Sequence, residues 1–204
     1  MEIIKPYFII EDKIDGEQIL KNLERYGRTC YKSEGKITTD SAKSFIAKIL
    51  ASGHESVIEH EKITVRVICD RGVSHEIVRH RIASYSQEST RYCNYKSRGV
   101  QVIEPFFFVG DENKYQIWLD AMNACEKAYN ALIEAGATPQ EARSVLPNSL
   151  KTEIVITYNL REWRHFFKFR CSKRVHPQMR EITIPLLREF KRRIPIIFDD
   201  IAEE

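Results

Sequence analysis

Thr152-Glu153-Ile154-Val155-Ile156-Thr157-Tyr158 runs directly into Asn159-Leu160-Arg161-Glu162-Trp163-Arg164-His165-Phe166-Phe167-Lys168-Phe169-Arg170. The first seven residues, rich in β-branched and aromatic types, read as a strand. Asn159 then opens a helix with Trp163, Phe166, Phe167 and Arg170 at i, i+3, i+4 and i+7. Arg170 therefore falls on or beside an aromatic face. A buried charge there needs a partner, because an unpaired one costs several kcal/mol. A structural ion pair, or a stem lying on apolar surface with its head in water, is the plain alternative to a ligand contact.

Strands and helices alternate irregularly on both sides of this stretch. Ile3 to Ile10 reads as a first strand, with Pro6 marking a sheet edge. Asp15-Gly16-Glu17-Gln18 starts a helix carrying Ile19, Leu20, Leu23 and Tyr26. Thr39 or Asp40 caps a second, with Phe45, Ile46, Ile49 and Leu50 on one face and Gly53 as its stop. Lys62 to Cys69 alternates as a half-buried strand, and Asp70-Arg71-Gly72 turns. Ser74 then caps a helix with Val73, Ile77 and Ile82 inward, which puts Glu76 and His80 on one face.

Further on, Gly99 to Phe108 reads as a strand region ending near Pro105. A long helix runs from Asn113 to about Glu134, with Trp118, Ala121, Met122, Cys125, Ala128, Tyr129 and Leu132 as its stripe and Gly136 as its end. Thr138-Pro139-Gln140-Glu141 starts another, which carries Arg143 and stops before Pro147. The last helix spans Gln178 to Arg193, and Pro185 should kink it. Asp199 to Glu204 reads as a frayed acidic end. The fold class is α+β: a single domain, residues 1–204, with an antiparallel or mixed sheet packed against several helices, one of them long.

The composition excludes several classes of function. A chain of 204 residues with 43% hydrophobic content can bury a sizeable core, and a net charge of +3 is too small for a general nucleic-acid binder. The five cysteines, Cys30, Cys69, Cys93, Cys125 and Cys171, form no CxxC pair, so reduced thiols are expected. No signal peptide is recognisable and no apolar run approaches the ~20 residues of a membrane span. A cytoplasmic protein with no membrane partner is the expectation. His54-Glu55-Ser56-Val57-Ile58-Glu59-His60 looks at first like a zinc-protease helix, but Ile58 stands where the second histidine is required. No metal is expected, and the stretch reads as a polar loop.

Arg79-His80-Arg81-Ile82-Ala83-Ser84-Tyr85-Ser86-Gln87-Glu88-Ser89-Thr90-Arg91-Tyr92 is unusual in pairing three guanidinium groups with many hydroxyls and one carboxylate. It reads as a helix running into a polar loop near Ser84. Forks and hydroxyls together suit a phosphate- or carbonyl-bearing ligand. An RNA- or nucleotide-binding module would use Arg79, Tyr85, Arg91 and Tyr92 for phosphate and stacking contacts. That reading leaves the His54–His60, Arg143 and Asn159–Arg170 clusters without a purpose. The blandest reading makes the run a solvated face. No GxGxxG follows a strand, so a Rossmann site is not in view.

Three separated stretches resemble the flavin-dependent thymidylate synthases. Arg79-His80-Arg81, seven residues, then Ser89 matches that family's signature. His54-Glu55-Ser56 with Glu59-His60 matches its His-Glu-Ser stretch. Ala142-Arg143-Ser144-Val145-Leu146-Pro147, followed by Asn159, Arg161 and Arg170, matches its C-terminal half. The similarity runs from about Arg28 to Glu181. It implies reductive methylation of dUMP to dTMP, with methylenetetrahydrofolate as carbon donor and FAD, reduced by NADPH, as cofactor. It also implies a homotetramer whose active sites are shared between subunits.

By matched position the resemblance implies that His54, Ser56, Arg79, His80, Arg81, Gln87, Asn159, Arg161 and His165 serve FAD. Glu76, Arg79, Gln87, Glu88, Ser89, Thr90, Arg91, Arg143 and Arg170 would serve dUMP, with Arg170 the catalytic group that activates the uracil. Glu76 stands where others have Gln, Gln87-Glu88 where some have Glu and an apolar residue, and His165 where some have Asn. His176 aligns with a further histidine at a longer spacing from Arg170. The residues make chemical sense of this assignment. Two phosphorylated ligands need converging cations in a protein of low net charge, and Ser89-Thr90-Arg91 offers hydroxyls and N–H groups for an anion nest. No cysteine sits in a nucleophile setting, and Ser89 has no recognisable activating base. Activation of uracil by a guanidinium, without a covalent protein nucleophile, is therefore expected.

Overall fold

The computed structural model describes residues 1–203, and the expectation for Glu204 lies outside them. The strands are β1 (Glu2–Ile4), β2 (Tyr7–Ile10), β3 (Lys62–Asp70), β4 (Ser84–Gln87), β5 (Gln101–Ile103) and β6 (Lys151–Asn159). The helices are α1 (Gly16–Thr29), α2 (Ser41–Ala51), α3 (Arg71–Ile77), α4 (Tyr95–Arg98), α5 (Glu112–Glu134), α6 (Pro139–Ala142), α7 (Leu160–Arg170) and α8 (Pro177–Arg193). Four strands form one sheet in the order β2-β3-β6-β4, and β1 pairs parallel with β5, Ile3 opposite Val102. The α+β class is as the sequence reads.

Contacts group the chain into two compact units. The first comprises Met1–Phe8, Arg66–Arg79 and Tyr85–Val155; the second comprises Ile9–Val65, His80–Ser84 and Ile156–Glu204. In the first, the long α5 packs Trp118, Met122 and Tyr129 with Val100, Val102 and Leu150. Only those three positions of its expected stripe are fully buried. The Trp118 indole N–H donates to Ser149 Oγ at 3.2 Å. In the second, Trp163 lies parallel to Phe167, with centroids 5.5 Å apart, and touches Phe166 and Phe190. Its indole N–H donates to the Ile63 carbonyl at 3.0 Å.

The β6–α7 junction follows its sequence closely. Along β6, Thr152, Ile154, Ile156 and Tyr158 are buried in alternation. The Asn159 side chain accepts from the Glu162 backbone N–H at 2.8 Å and caps α7. Elsewhere the structure departs from the expectations. The first strand breaks at Lys5-Pro6 into β1 and β2, which belong to different sheets; proline cannot donate to a ladder. The Gly99–Phe108 strand shrinks to β5, and Phe106–Phe108 forms a 3-10 turn after Pro105. Arg143 leaves α6 for a 3-10 turn over Arg143–Val145.

The helix bearing Ser74 ends at Ile77, so Arg79-His80-Arg81 is not helical and Glu76 shares no helical face with His80. Ile82, expected inward, is 69% exposed. Asp70, rather than Ser74, caps this helix, its carboxylate accepting from Val73 N–H at 2.7 Å. Ser84–Gln87 is an edge strand instead of a loop. The His54–His60 stretch is likewise no open loop. Glu55–His60 winds as a 3-10 helix because Val57 and Ile58 are buried.

The acidic C-terminus is tied down. Ile197, Phe198 and Ile201 are buried, and Asp200 binds the buried Arg164 through both oxygens at 2.6 and 2.8 Å. Arg164 also donates to Glu55 at 3.2 Å and to the Ile197 carbonyl. The Arg164 hydrogen bond holds the Asp200 carboxyl below the ordinary carboxylate range. Arg164→Ala should cost about 2 kcal/mol, or roughly 4–8 °C in Tm, measured by calorimetry. A lowered carboxyl pKa stabilises above the unfolded value of ~3.9 and is lost below it, so wild type and variant should converge in acid. Also in the second unit, a Cβ added to Gly16 would lie 2.0 Å from the Arg193 carbonyl oxygen. Gly16→Ala should therefore destabilise by at least ~2 kcal/mol, read as a lower urea midpoint.

Candidate functional site

The centre of the second unit is an imidazole held from two sides. His80 is buried, and its Nδ1 lies 2.9 Å from Glu162 Oε1. Arg170 donates its Nε–H to His80 Nε2 at 3.1 Å. Phe166 meets the ring edge-on with centroids 5.0 Å apart, and His165 lies at 5.4 Å. Burial holds His80 below the ordinary imidazole range, and the charge of Arg170 adds to this against the opposing Glu162 hydrogen bond. The ring is therefore neutral at pH 7. Arg170, whose place on an aromatic helix demanded a partner, has one here in a neutral acceptor.

Of the remaining flavin candidates of this unit, Asn159, Arg161 and His165 line a cavity of about 460 Å³ together with Ile82, Lys168 and the carboxylates Glu55, Glu59 and Glu162, whereas His54 lines a different cavity beside Arg28 and Tyr31. Arg161 pairs with Glu59 at 2.6 Å, and His54, Ser56, Arg81 and His165 are exposed. His54 Nδ1 lies 3.4 Å from the Tyr31 hydroxyl. Arg79 and Gln87, expected at both ligands, fall in the first unit, as do all the dUMP candidates except Arg170.

Within the first unit, Arg143 donates to Thr90 Oγ1 at 3.3 Å, which joins two stretches 53 positions apart. Ser89 sits at the head of a turn, its Oγ accepting from Arg91 N–H at 3.3 Å. Gln87 donates through Nε2 to Ser74 at 3.0 Å and Thr152 at 3.1 Å. Glu88 accepts from Tyr95 at 3.1 Å and from Lys151 at 2.9 Å, so both its oxygens already have partners. Gln87, Glu88 and Lys151 line a second cavity of about 450 Å³ with Arg66 and Glu153. Glu76 lies in the last turn of α3 and accepts from Arg79 N–H at 3.4 Å through its carbonyl.

All five cysteines are unpaired. Burial pushes the Cys171 thiol up to about 11 and raises Cys69 further, so neither is a thiolate at neutral pH. Among the described residues, His80, Glu162 and His165 offer ligand atoms within 4.8 Å of one another. Arg170 on the far nitrogen of His80 sets a positive charge against any cation there. No described helix is long and apolar enough to cross a membrane.

Sequence reasoning missed Glu162, Lys151 and Arg164. Glu162 reads as a routine first-turn acid after the Asn159 cap, and its link to His80 spans 82 positions. Alternation in β6 marks Lys151 only as a strand end, and Arg164 reads as one more cation on a basic helix. His176 caps α8, its Nδ1 accepting from Gln178 N–H at 3.3 Å.

Comparison with known proteins identifies the family. The sequence pattern of the family described as Thymidylate synthase complementing protein matches residues 14–196. A flavin-dependent thymidylate synthase from Geobacter sulfurreducens is 39% identical over 85% of this chain and 78% of its own. One from Pyrococcus abyssi is 37% identical over 78% of this chain and 66% of its own. In three dimensions the chain resembles a UMP/dUMP methylase, PolB from Streptomyces cacaoi, bound with 5-Br dUMP. The TM-score is 0.81 at 20% identity, over 98% of this chain and 96% of that one, a likeness of fold. The RHR–Ser signature, the His-Glu-Ser stretch and the Arg143-to-Arg170 half thus all fall inside one family match, and the chain belongs to the flavin-dependent thymidylate synthases.

Proposed function

We propose that this protein converts dUMP to dTMP, taking the carbon from methylenetetrahydrofolate and the reducing power from FAD recharged by NADPH. The single observation that carries the reading is the family match over residues 14–196, which encloses every site position from His54 to Arg170. One domain of 204 residues carries the activity, in a cytoplasmic homotetramer whose active sites draw on more than one subunit, with no nucleic-acid or membrane partner and no resident metal.

The groups of the second unit fit a flavin dinucleotide. Its cavity is of the size small-molecule sites occupy, and the cations on its wall, Arg161 and Lys168, would exchange their present carboxylate partners, Glu59 for Arg161 and Glu55 and Asp200 for Lys168, for a pyrophosphate. Asn159, Arg161, His165, Arg81, His54 and Ser56 would hold it; Arg79 and Gln87, which the family resemblance also assigns to flavin, belong to the first unit. Bound FAD supplies the two electrons that turn a methylene into a methyl group. In the first unit Arg143, Thr90, Ser89 and Arg91 would receive the phosphate of dUMP, and Gln87, Glu88, Glu76 and Arg79 its remaining polar groups. Arg143 and Thr90 already form one cluster.

Arg170 carries the catalytic role. Carbon 5 of uracil would bond to the methylene carbon as the bond from that carbon to a folate nitrogen breaks, releasing the folate, and would then lose its proton, which requires extra electron density in the ring. A fixed guanidinium at the carbonyl edge stabilises the charge that develops as N3 loses its proton. A covalent route through the two buried cysteines finds no support, since the thiols of Cys69 and Cys171 are held protonated.

The purified protein should be yellow and should bleach on reduction. Arg170→Ala should keep its flavin and lose about 10²–10³-fold in dUMP-dependent turnover; unchanged turnover would remove the role assigned to Arg170. A colourless protein that binds RNA with steep salt dependence would overturn the reading altogether. Ser89→Ala should retain measurable methylation, about 10- to 100-fold down, as expected for one lost hydrogen bond to an anion. Complete inactivity with dUMP still bound would point instead to a covalent serine.

A further inference from the structure

Glu162 opens α7 and Arg170 closes it. They stand at i and i+8 with Phe166 between them, so they share a face but lie two turns, or about 12 Å, apart along the axis. Neither can reach the other. His80 spans the gap, with Nδ1 on Glu162 at 2.9 Å, Nε2 on Arg170 Nε at 3.1 Å, and the ring against Phe166. Arginine Nε is only a donor, so Nε2 must be the bare nitrogen. The imidazole proton then lies on Nδ1 and is donated to Glu162.

We propose that Glu162 is a positioning residue for the methylation of dUMP, fixing the Nδ1–H tautomer of His80 so that Nε2 anchors Arg170 in its working orientation. The inference rests on the function proposed above and goes beyond it in two ways. It gives His80 a role different from flavin binding: both ring nitrogens are engaged within the protein, which leaves the ring carbons and the backbone for a cofactor. It also makes the orientation of Arg170 depend on protonation. A proton on Nε2 would face the Nε–H of Arg170, two donors opposed, and the anchor would open.

The charged and titratable groups around the ring include Glu162, Arg170 and His165 of α7, with the Tyr158 phenol of β6 packed at 6.2 Å between centroids. Of these only Glu162 favours a protonated ring through both its hydrogen bond and its charge; Arg170 and His165 oppose it. A neutral ring in the folded protein therefore persists below the ordinary imidazole pKa of ~6.5, and the acid limb of turnover should lie below that value.

The test uses FAD-loaded enzyme with dUMP, and nitrogen NMR of histidine-labelled protein. Wild type should show His80 as the Nδ1–H tautomer. Glu162→Leu should lose that tautomer and about 10- to 100-fold in kcat while keeping its flavin, the scale of a misplaced catalytic group. Glu162→Gln still offers an acceptor oxygen. It should recover most of the loss and move the acid limb to lower pH, a shift that a merely structural role would not produce. An Nε2–H ring in wild type, or Glu162→Leu at wild-type turnover, overturns the proposal. If the Leu variant does not fold, an unmoved acid limb in Glu162→Gln does so instead. A wild type inert toward dUMP overturns the proposed function and the catalytic half of this proposal. Loss of the Nδ1–H signal in the Leu variant would still establish the Glu162–His80 link.

Discussion

A guanidinium cannot shed its proton inside a protein, so every arginine on a packed helix must be met by an acceptor. Helix α7 carries Arg161, Arg164 and Arg170, with Lys168, among Trp163, Phe166 and Phe167. The acceptors come from far away in the chain: Glu59 for Arg161, Glu55, Asp200 and the Ile197 carbonyl for Arg164, and His80 for Arg170. The 3-10 helix before β3, the segment between α3 and β4, and the C-terminal turn all converge on this helix. A cluster of cations on an aromatic helix thus organises the second unit. The aromatic face supplies burial, and the cations decide which segments must come to it.

The same constraint shows how much could be read in advance. Elements whose identity rests on local pattern appear where the sequence puts them: β6 from its β-branched run, α5 from its stripe and Gly136, α7 from Asn159 and the aromatic spacing. Segments whose conformation is set by distant partners do not. Arg79-His80-Arg81 continues a plausible helical pattern, yet the chain leaves the helix at Ile77 and carries the His80 ring to Glu162 and Arg170. Asp199 to Glu203 is polar enough to fray, yet Asp200 is the counterion of a buried arginine and Glu203 accepts from Arg188 at 2.8 Å. Local propensity is a weak competitor when the alternative is an unpaired buried charge.

For the site, the residue types could be read but not their division of labour. The signature run changes unit twice: Arg79 belongs to the first unit, His80 to Ser84 to the second, and Tyr85 onward to the first again. The partners of individual groups were not legible. Nothing in the run announces that Glu88 accepts from Tyr95 and Lys151, or that the Gln87 amide nitrogen is directed at Ser74 and Thr152. These are contacts across up to 65 positions, and such pairings leave no periodicity behind.

The two tryptophans have a consequence for observing this molecule. Trp118 lies in the first unit and Trp163 in the second; both are buried, and both donate their indole N–H to protein oxygen. Indole emission shifts to longer wavelength when the ring meets water, so each unit contains its own optical reporter. With one tryptophan replaced by phenylalanine, the remaining emission follows a single unit through heat or denaturant. The chain thus carries, without any added label, the means to tell whether its halves melt together or in succession.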